Sequence, residues 1–427
     1  GWTTSVAKTT IEFIQWWAPE LPAGSFRGIM DDFESKNPDI KVKLISGPYS
    51  STRDQIVIGA ASGTLSDVVG LDGAWVNDLA KQGAIAPMDG LMSRNNYDSS
   101  QIAAIIKIDG KSLMFPVASF VYPIFINLDL FAAAGLTSMP KNRSEFLSAA
   151  RKLTNKSKNQ YGWVLPLSLQ SPNGAQNDVM SWVWASGKSM LKDGKPNLTN
   201  KDVISALKFI EVMYKEKLIS PGSFAKKEQE KLEEFVNGRV GMTVSSLAHI
   251  NMIRDRNPSL NFTITDFPAA DGYKGRRGLP YAAWGIGISQ HSKHKEEAWK
   301  LVSYLMSPEV NSKLVSIANA FPGNVKAKPD FVTSDKLFGK GFKIFQSGYL
   351  ANEFTGLPVA EELMRMLNEE IQLMLEGKQT AEQAAAKAQA KWIAENLIVE
   401  RRNTKYCVAI IRLTSIIHFS NLTNPYR

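Results

Sequence analysis

Near the N-terminus the hydrophobic positions change period repeatedly. Residues 10–16 (TIEFIQW) read as a strand that ends in Trp16-Trp17-Ala18-Pro19. Phe26, Ile29, Met30 and Phe33 then fall on one face of a 3.6-residue period, and Asn37-Pro38-Asp39 stops that helix. Residues 41–45 alternate as a second strand, a helix is predicted from about Arg53 to Ala61, residues 67–71 make a third strand, and a further helix is predicted around Trp75. Strands alternating with helices predict βαβ units, an α/β fold and a largely parallel sheet. Ligands in such sheets lie beyond the carboxyl ends of the strands, where this register puts Trp16, Trp17, Asp72 and Trp75.

Farther along, Asp109-Gly110-Lys111 predicts a hairpin turn and residues 121–127, which include Tyr122, an apolar strand. Phe146, Ala149, Ala150 and Leu153 give one buried helix face, and Val203, Leu207, Ile210 and Tyr214 another. Residues 161–169 and 260–267 are expected to be strands, while Trp182 and Trp184 fall in a loop-like stretch. Residues 280–289 form a short apolar run holding Gly285 and Gly287, and a helix follows with Ala298, Leu301, Val302 and Leu305 on one face. Ser307-Pro308 breaks that helix, a second one follows, and Phe321-Pro322-Gly323-Asn324 turns the chain sharply. Leu363, Leu367, Ile371 and Met374 lie on a long helix ended by Gly377, and Thr380 with Gln383 forms a capping box for the next helix, through Trp392.

Composition narrows the class. A chain of 427 residues exceeds what one hydrophobic core usually holds, so two lobes are expected. A hydrophobic content of 44% with 21% charged residues is that of a soluble globular protein, and no apolar run is long enough to span a bilayer. The single cysteine, Cys407, rules out an intrachain disulfide and a cysteine metal cluster. The first residues carry no charged-then-apolar signal peptide, so a secreted protein is expected here in mature or trimmed form. Of the net charge of +9, residues 400–427 account for +4 through five cations and one acid; the remaining +5 is spread without runs, which points away from nucleic acid.

Catalytic motifs are missing. His291 and His294 are flanked by Lys293 and Lys295 and read as a solvated turn rather than a metal site. The WGIGIS stretch lacks the third glycine of a phosphate-binding loop, and no Gly-x-Ser-x-Gly elbow is present. No cofactor is expected.

Six blocks in order carry a family resemblance. They are SDVVGLDGAWVNDLAKQGAIAPMDGL; NLDLFAAAGLTSMPKNRSEFLSAARKL; LQSPNG at 169–174; FVNGRVGMTVSS at 235–246; the run from Trp284-Gly285 through Ala298-Trp299, Ser307-Pro308-Glu309 and Phe321-Pro322-Gly323; and the final helix pair after Gly377. In these the chain resembles the family 1 extracellular solute-binding proteins of ABC sugar importers, the maltose-binding-protein-like group. The resemblance implies a two-lobed periplasmic-binding-protein-like α/β fold with hinge crossovers and a ligand cleft between the lobes. It implies an N-terminal lobe of residues 1–117 and 270–322, a C-terminal lobe of 118–269 and 323–397, and an atypical tail at 398–427. The tail reads as an added strand or hairpin, a partner-binding segment, or translated sequence outside the natural frame. The resemblance further implies a monomeric, non-enzymatic receptor that hands ligand to the ABC transporter's membrane subunits. It would reside in the periplasm or be lipid-anchored on the outer face of the cytoplasmic membrane. In LQSPNG, Ser171 and Asn173 stand where maltose binders have an acid and an aromatic, which speaks against maltose.

Aromatic placement supplies the independent argument for sugar. A sugar offers an apolar C–H face and a rim of hydroxyls, so its site needs flat aromatic platforms and a few fixed polar groups. Trp16, Trp17, Trp75 and Trp284 fall at strand ends or just after them; Trp182 and Trp184, Tyr122, Ser171, Asn173, Ser246 and Tyr281 complete the candidate contacts. Asp72 is either a charged hydroxyl acceptor or the N-cap of the helix at Trp75. Trp284 is either a platform reached past Gly285 and Gly287 or a core residue against the helix of Leu301 and Leu305. The rivals are a carbohydrate-active enzyme, for which Asp72 lacks an evident second carboxyl, and a binding protein for a non-sugar ligand such as an organophosphate, polyamine or peptide.

Overall fold

The computed structural model describes residues 8–330, 333–402 and 410–411. The chain falls into two compact units, each built from separate stretches: the described parts of Gly1–Phe120 with Ala283–Asp335, and Val121–Ala282 with Lys336–Thr404.

The first unit is organised on a sheet whose central order is Ile40–Ser46, Thr9–Gln15, Val68–Leu71, Tyr281–Ser289, Lys111–Val121, Ala104–Ile108. Thr9–Gln15 pairs in parallel with both of its neighbours. Tyr281–Ser289 runs antiparallel to Val68–Leu71, and Ala104–Ile108 antiparallel to Lys111–Val121, so the sheet is mixed rather than largely parallel. The added strand comes from far along the chain, so no strand–helix alternation around it fixes its direction. Gly285 and Gly287 explain how close it lies: a Cβ at Gly285 would stand 2.7 Å from Leu71 O, and one at Gly287 2.8 Å from Leu113 O. The glycines admit neighbouring backbone, one of the two uses expected of glycine in a strand.

Local sequence accounts for the joints. Asp109 and Gly110 both take left-handed φ (51° and 74°), the hairpin geometry that matches strand twist. The helix Ser25–Lys36 buries Phe26, Ile29, Met30 and Phe33 and ends at Asn37, whose side chain donates to Phe33 O. Ser307 caps Pro308–Ala318 after the break that follows Lys295–Leu305.

The second unit holds a three-stranded antiparallel sheet with Ile124–Asn127 between Met242–Val244 and Phe262–Thr265. Around it lie the helices Arg143–Leu153, capped by the Asn142 side chain, Lys201–Lys215, Glu228–Val236, Ala360–Leu375 and Ala381–Arg402. The capping box at the start of Ala381–Arg402 is reciprocal, Thr380 N–H to Gln383 Oε1 at 2.9 Å and Gln383 N–H to Thr380 Oγ1 at 3.1 Å. Residues 161–169 are not a strand: only Tyr161 and Trp163 make isolated bridges, and Pro166 interrupts the run. After the loop 168–174 comes a fully buried π-helical turn, Ala175–Met180, continuing into Ser181–Trp184.

The chain changes unit after residues 120, 282 and 335, later than the 117, 269 and 322 expected from sequence. Pro116 sits inside the strand Lys111–Val121 without ending it. Gly278–Leu279 pairs with Tyr349–Leu350 and so stays with the second unit. Lys328, Asp330 and Ser334 bond back to the helix Pro308–Ala318, through Lys328 N–H to Ser312 Oγ, Asp330 N–H to Ser316 Oγ and Ser334 Oγ to Ser316 O. The helix Ala381–Arg402 runs past the expected start of the tail; beyond it only Ile410–Ile411 is described, paired with Ala104–Ile108, and the rest of the tail lies outside the described residues.

Candidate functional site

In the first unit the junctions after three strands meet. Gln15, fully buried, accepts the N–H groups of Trp17 and Ala18 through Oε1, both at 2.8 Å, and donates to Ser46 Oγ. That clamp turns the chain at Trp16 and Trp17, whose rings meet edge-on with centroids 6.2 Å apart. Trp16 meets Tyr49 and Trp75 edge-on, with ring centroids 5.4 and 5.3 Å apart, and Tyr49 lies 5.1 Å from Trp75. Beside this trio Asp72 Oδ2 accepts the Tyr49 hydroxyl at 2.9 Å, and Oδ1 accepts Ala74 N–H at 2.8 Å. The carboxylate thus closes the turn before the helix Val76–Lys81, whose N-cap is Trp75. Trp75 Nε1 is buried and has no acceptor in the protein.

Trp16, Asp72 and Trp75 are therefore brought together, and Tyr49 joins them. Sequence reasoning missed Tyr49 because it placed the helix start near Arg53, whereas the helix is Tyr49–Ser62 behind Pro48 with no side-chain cap to mark it. Its position just after the strand Ile40–Ser46 was the available signal.

Trp17 and Trp284 form a second pair, which touches the first group where Trp17 meets Trp16 edge-on. Their rings stack at 5.4 Å with 8° between planes, Trp17 packs on Phe13 and Phe26, and Trp284 packs on Phe120 at 4.7 Å. Trp17 is fully buried and Trp284 3% exposed, hardly less than Trp16 at 4% and Trp75 at 5%. For Trp284, expected to be either a platform or a core residue, the ring neighbours are Trp17 and Phe120.

In the second unit Trp182 is also core. It is fully buried among Phe146, Trp163, Phe209 and Phe267. Trp184, 1% exposed, is fixed by Nε1 donating to Glu353 Oε1 at 2.7 Å. Neither lies in a loop; the π-helical turn before them masks the 3.6-residue period by which a helix is read.

Ser171 and Asn173 are half-buried on the loop 168–174, with Ser171 N–H donating to Ser168 Oγ at 3.1 Å. Tyr122 is half-buried and its N–H donates to Pro280 O. Ser246 Oγ accepts Ala248 N–H at 3.1 Å, so that hydroxyl serves a turn. The Tyr281 backbone carbonyl is held by Asn352 Nδ2 at 2.8 Å. Burial raises the Tyr281 hydroxyl above the usual tyrosine pKa against the hydrogen bond with Thr355, which keeps it a neutral donor.

A strongly charged cluster lies behind the loop. Lys231 Nζ stands 3.2 Å from both Asp178 oxygens and 2.9 Å from Glu228 Oε1. Burial raises the Asp178 carboxyl, opposed by Lys231 and reinforced by Glu228. Lys231, whose burial works to lower its pKa, is held above the ordinary value by Asp178 and Glu228. Among the described residues no three His, Cys, Asp or Glu side chains are grouped to hold a metal, and no helix is long and apolar enough to cross a membrane.

Known proteins share this architecture. The chain is 27% identical over 319 residues to a binding protein of Brucella abortus, covering 73% of this chain and 75% of that one. It is 24% identical to the multiple sugar-binding protein of Streptococcus mutans, over 73% of this chain and 74% of that one. A solute-binding protein from Thermotoga lettingae, solved with α-D-tagatose, has the same fold, with a TM-score of 0.78, 22% identity and coverage of 91% of this chain and 99% of the other. The sequence profile of the bacterial extracellular solute-binding proteins matches residues 18–312, and the chain belongs to that family.

Proposed function

We propose that the protein is an extracytoplasmic receptor for a carbohydrate, delivering it to the membrane subunits of an ABC importer. The observation that carries this reading is the Trp16–Tyr49–Trp75 wall beside Asp72. Aromatic faces suit the apolar side of a sugar ring. The Asp72 carboxylate is an acceptor for a ligand hydroxyl. An acceptor beside an aromatic wall matches a hydroxyl and the apolar face of a polyol or sugar. The named sugar binder among the relatives supports the same class.

In this reading the loop 168–174 offers Ser171 and Asn173 as polar contacts to ligand, and Trp17, Trp182 and Trp284 serve packing alone. The protein acts as a monomeric receptor, in the periplasm or lipid-anchored at the cell surface. A thermal-shift screen against mono- and oligosaccharides tests the class, with an organophosphate and a polyamine as competing arms. Binding stabilises by RT ln(1 + [L]/Kd), so at least one saccharide should raise the melting temperature with saturable dose dependence. A shift with the organophosphate alone would move the assignment to that ligand class.

A further inference from the structure

The Asp178–Lys231–Glu228 cluster has no part in the aromatic site, yet it is unusual. Asp178 and Lys231 have no exposed side-chain area, and Glu228 has 14%. Buried ion pairs of this kind are a poor source of stability, because apolar residues of similar volume often serve as well or better. Their better-attested use is to fix one arrangement of the chain against others.

Asp178 lies in the π-helical turn Ala175–Met180, every residue of which is buried. Such turns are rare and recur at functional sites. The start of the turn is bonded to the loop before it: Ala175 N–H donates to Pro172 O, and Gln176 and Asn177 N–H donate to Asn173 O, at 3.0–3.1 Å. At the other end of the loop, Ser168 Oγ accepts the N–H groups of Gln170 and Ser171, and Asn368 Nδ2 donates to Ser168 O and Pro172 O. Gly174 sits so close to the Pro166 carbonyl that a Cβ there would lie 1.9 Å from the oxygen. The loop is therefore pinned before Ser171 and joined after Asn173 to a turn that a buried ion pair fastens to the helix Glu228–Val236.

We propose that the Asp178–Lys231–Glu228 triad is a positioning device: it holds the register of the π-helical turn and, through it, the placement of Ser171 and Asn173 toward ligand. The proposal rests on the reading that the loop 168–174 meets ligand. The three residues are positioning residues and touch no ligand themselves.

The test is a cycle on the full chain. The triple variant Asp178→Leu/Glu228→Gln/Lys231→Met replaces the charges with groups of comparable size, and Asp178→Asn is the milder version should the triple variant fail to fold. Each is made in the native chain and together with Ser171→Ala/Asn173→Ala. Melting temperature, affinity for a saccharide identified by the screen, and amide exchange across residues 170–177 are measured. The expected result is a melting temperature close to wild type for the triple variant and lower for Asp178→Asn, which leaves buried Lys231 with Glu228 alone. In both, affinity falls by about tenfold in the native background and changes by less than about twofold once Ser171 and Asn173 are already alanine. Native affinity in the triad variants, or an equal loss in both backgrounds, overturns the proposal. If no saccharide binds wild type, the ligand reading has failed and the exchange arm decides alone. Faster exchange confined to residues 170–177 then upholds the positioning role, and unchanged exchange there overturns it.

Discussion

Tyr49 donates its hydroxyl to Asp72 Oδ2 at 2.9 Å while its ring lies 5.1 Å from that of Trp75. One side chain thus orients the carboxylate and completes the aromatic wall. Tyr49→Phe separates the two roles, because it keeps the ring and removes the hydrogen bond. Affinity for the saccharide should fall by about fivefold, the net value of one such bond, with little change in apo melting temperature. Calorimetric titration of both proteins checks this; equal affinities would show that Tyr49 does not organise the acceptor.

Trp284→Ala should behave as a core truncation. The ring is stacked on Trp17 and packed on Phe120, so its loss should cost about 3–5 kcal/mol of stability with or without ligand. Denaturant unfolding of the apo protein measures it. Near-native stability combined with weakened binding would return Trp284 to the ligand site.

Asp178 makes stability depend on pH in a defined direction. Burial, reinforced by Glu228, raises its carboxyl above the ordinary carboxylate range against the pull of Lys231, so in acid the folded chain keeps a proton that the unfolded chain has already released. For a group raised in this way, the contribution is complete below the ordinary carboxylate range and is lost as pH climbs toward the folded value. Asp178→Asn removes it. The melting temperature of the variant minus that of wild type should therefore rise as pH climbs from about 4 toward neutral. A difference that is flat or falls over this interval contradicts the assigned direction.

These residues also mark how far sequence alone reaches. Helix faces such as Phe26, Ile29, Met30 and Phe33 were legible because burial imposes a 3.6-residue period on them. Asp109-Gly110 and Thr380/Gln383 were legible because turn and cap chemistry are local. The direction of Tyr281–Ser289 was not, since its partner Val68–Leu71 lies far away in sequence. Trp182 was misplaced because a π-helical turn shifts the phase by which a buried helix is recognised. At the candidate site, Trp16, Asp72 and Trp75 could be grouped from their positions after strands; Tyr49 shares that kind of position, but its helix has neither a side-chain cap nor a strong apolar face to mark where it starts. Trp17 and Trp284 share the strand-end positions of Trp16 and Trp75, and the stacking of their rings on each other is a long-range contact that sequence does not show.

The central claim, a saccharide receptor whose acceptor is Asp72, is tested most directly by calorimetric titration of Asp72→Asn beside wild type. The substitution keeps the shape and, through Oδ1, the acceptor for Ala74 N–H, while its Nδ2 can donate to the Tyr49 hydroxyl oxygen, so the turn should stand and apo melting temperature should hold. Hydrogen bonds to a charged group exceed neutral ones by about 1–1.5 kcal/mol, which predicts an affinity lower by about tenfold for the saccharide. Unchanged saccharide affinity in Asp72→Asn would contradict the account.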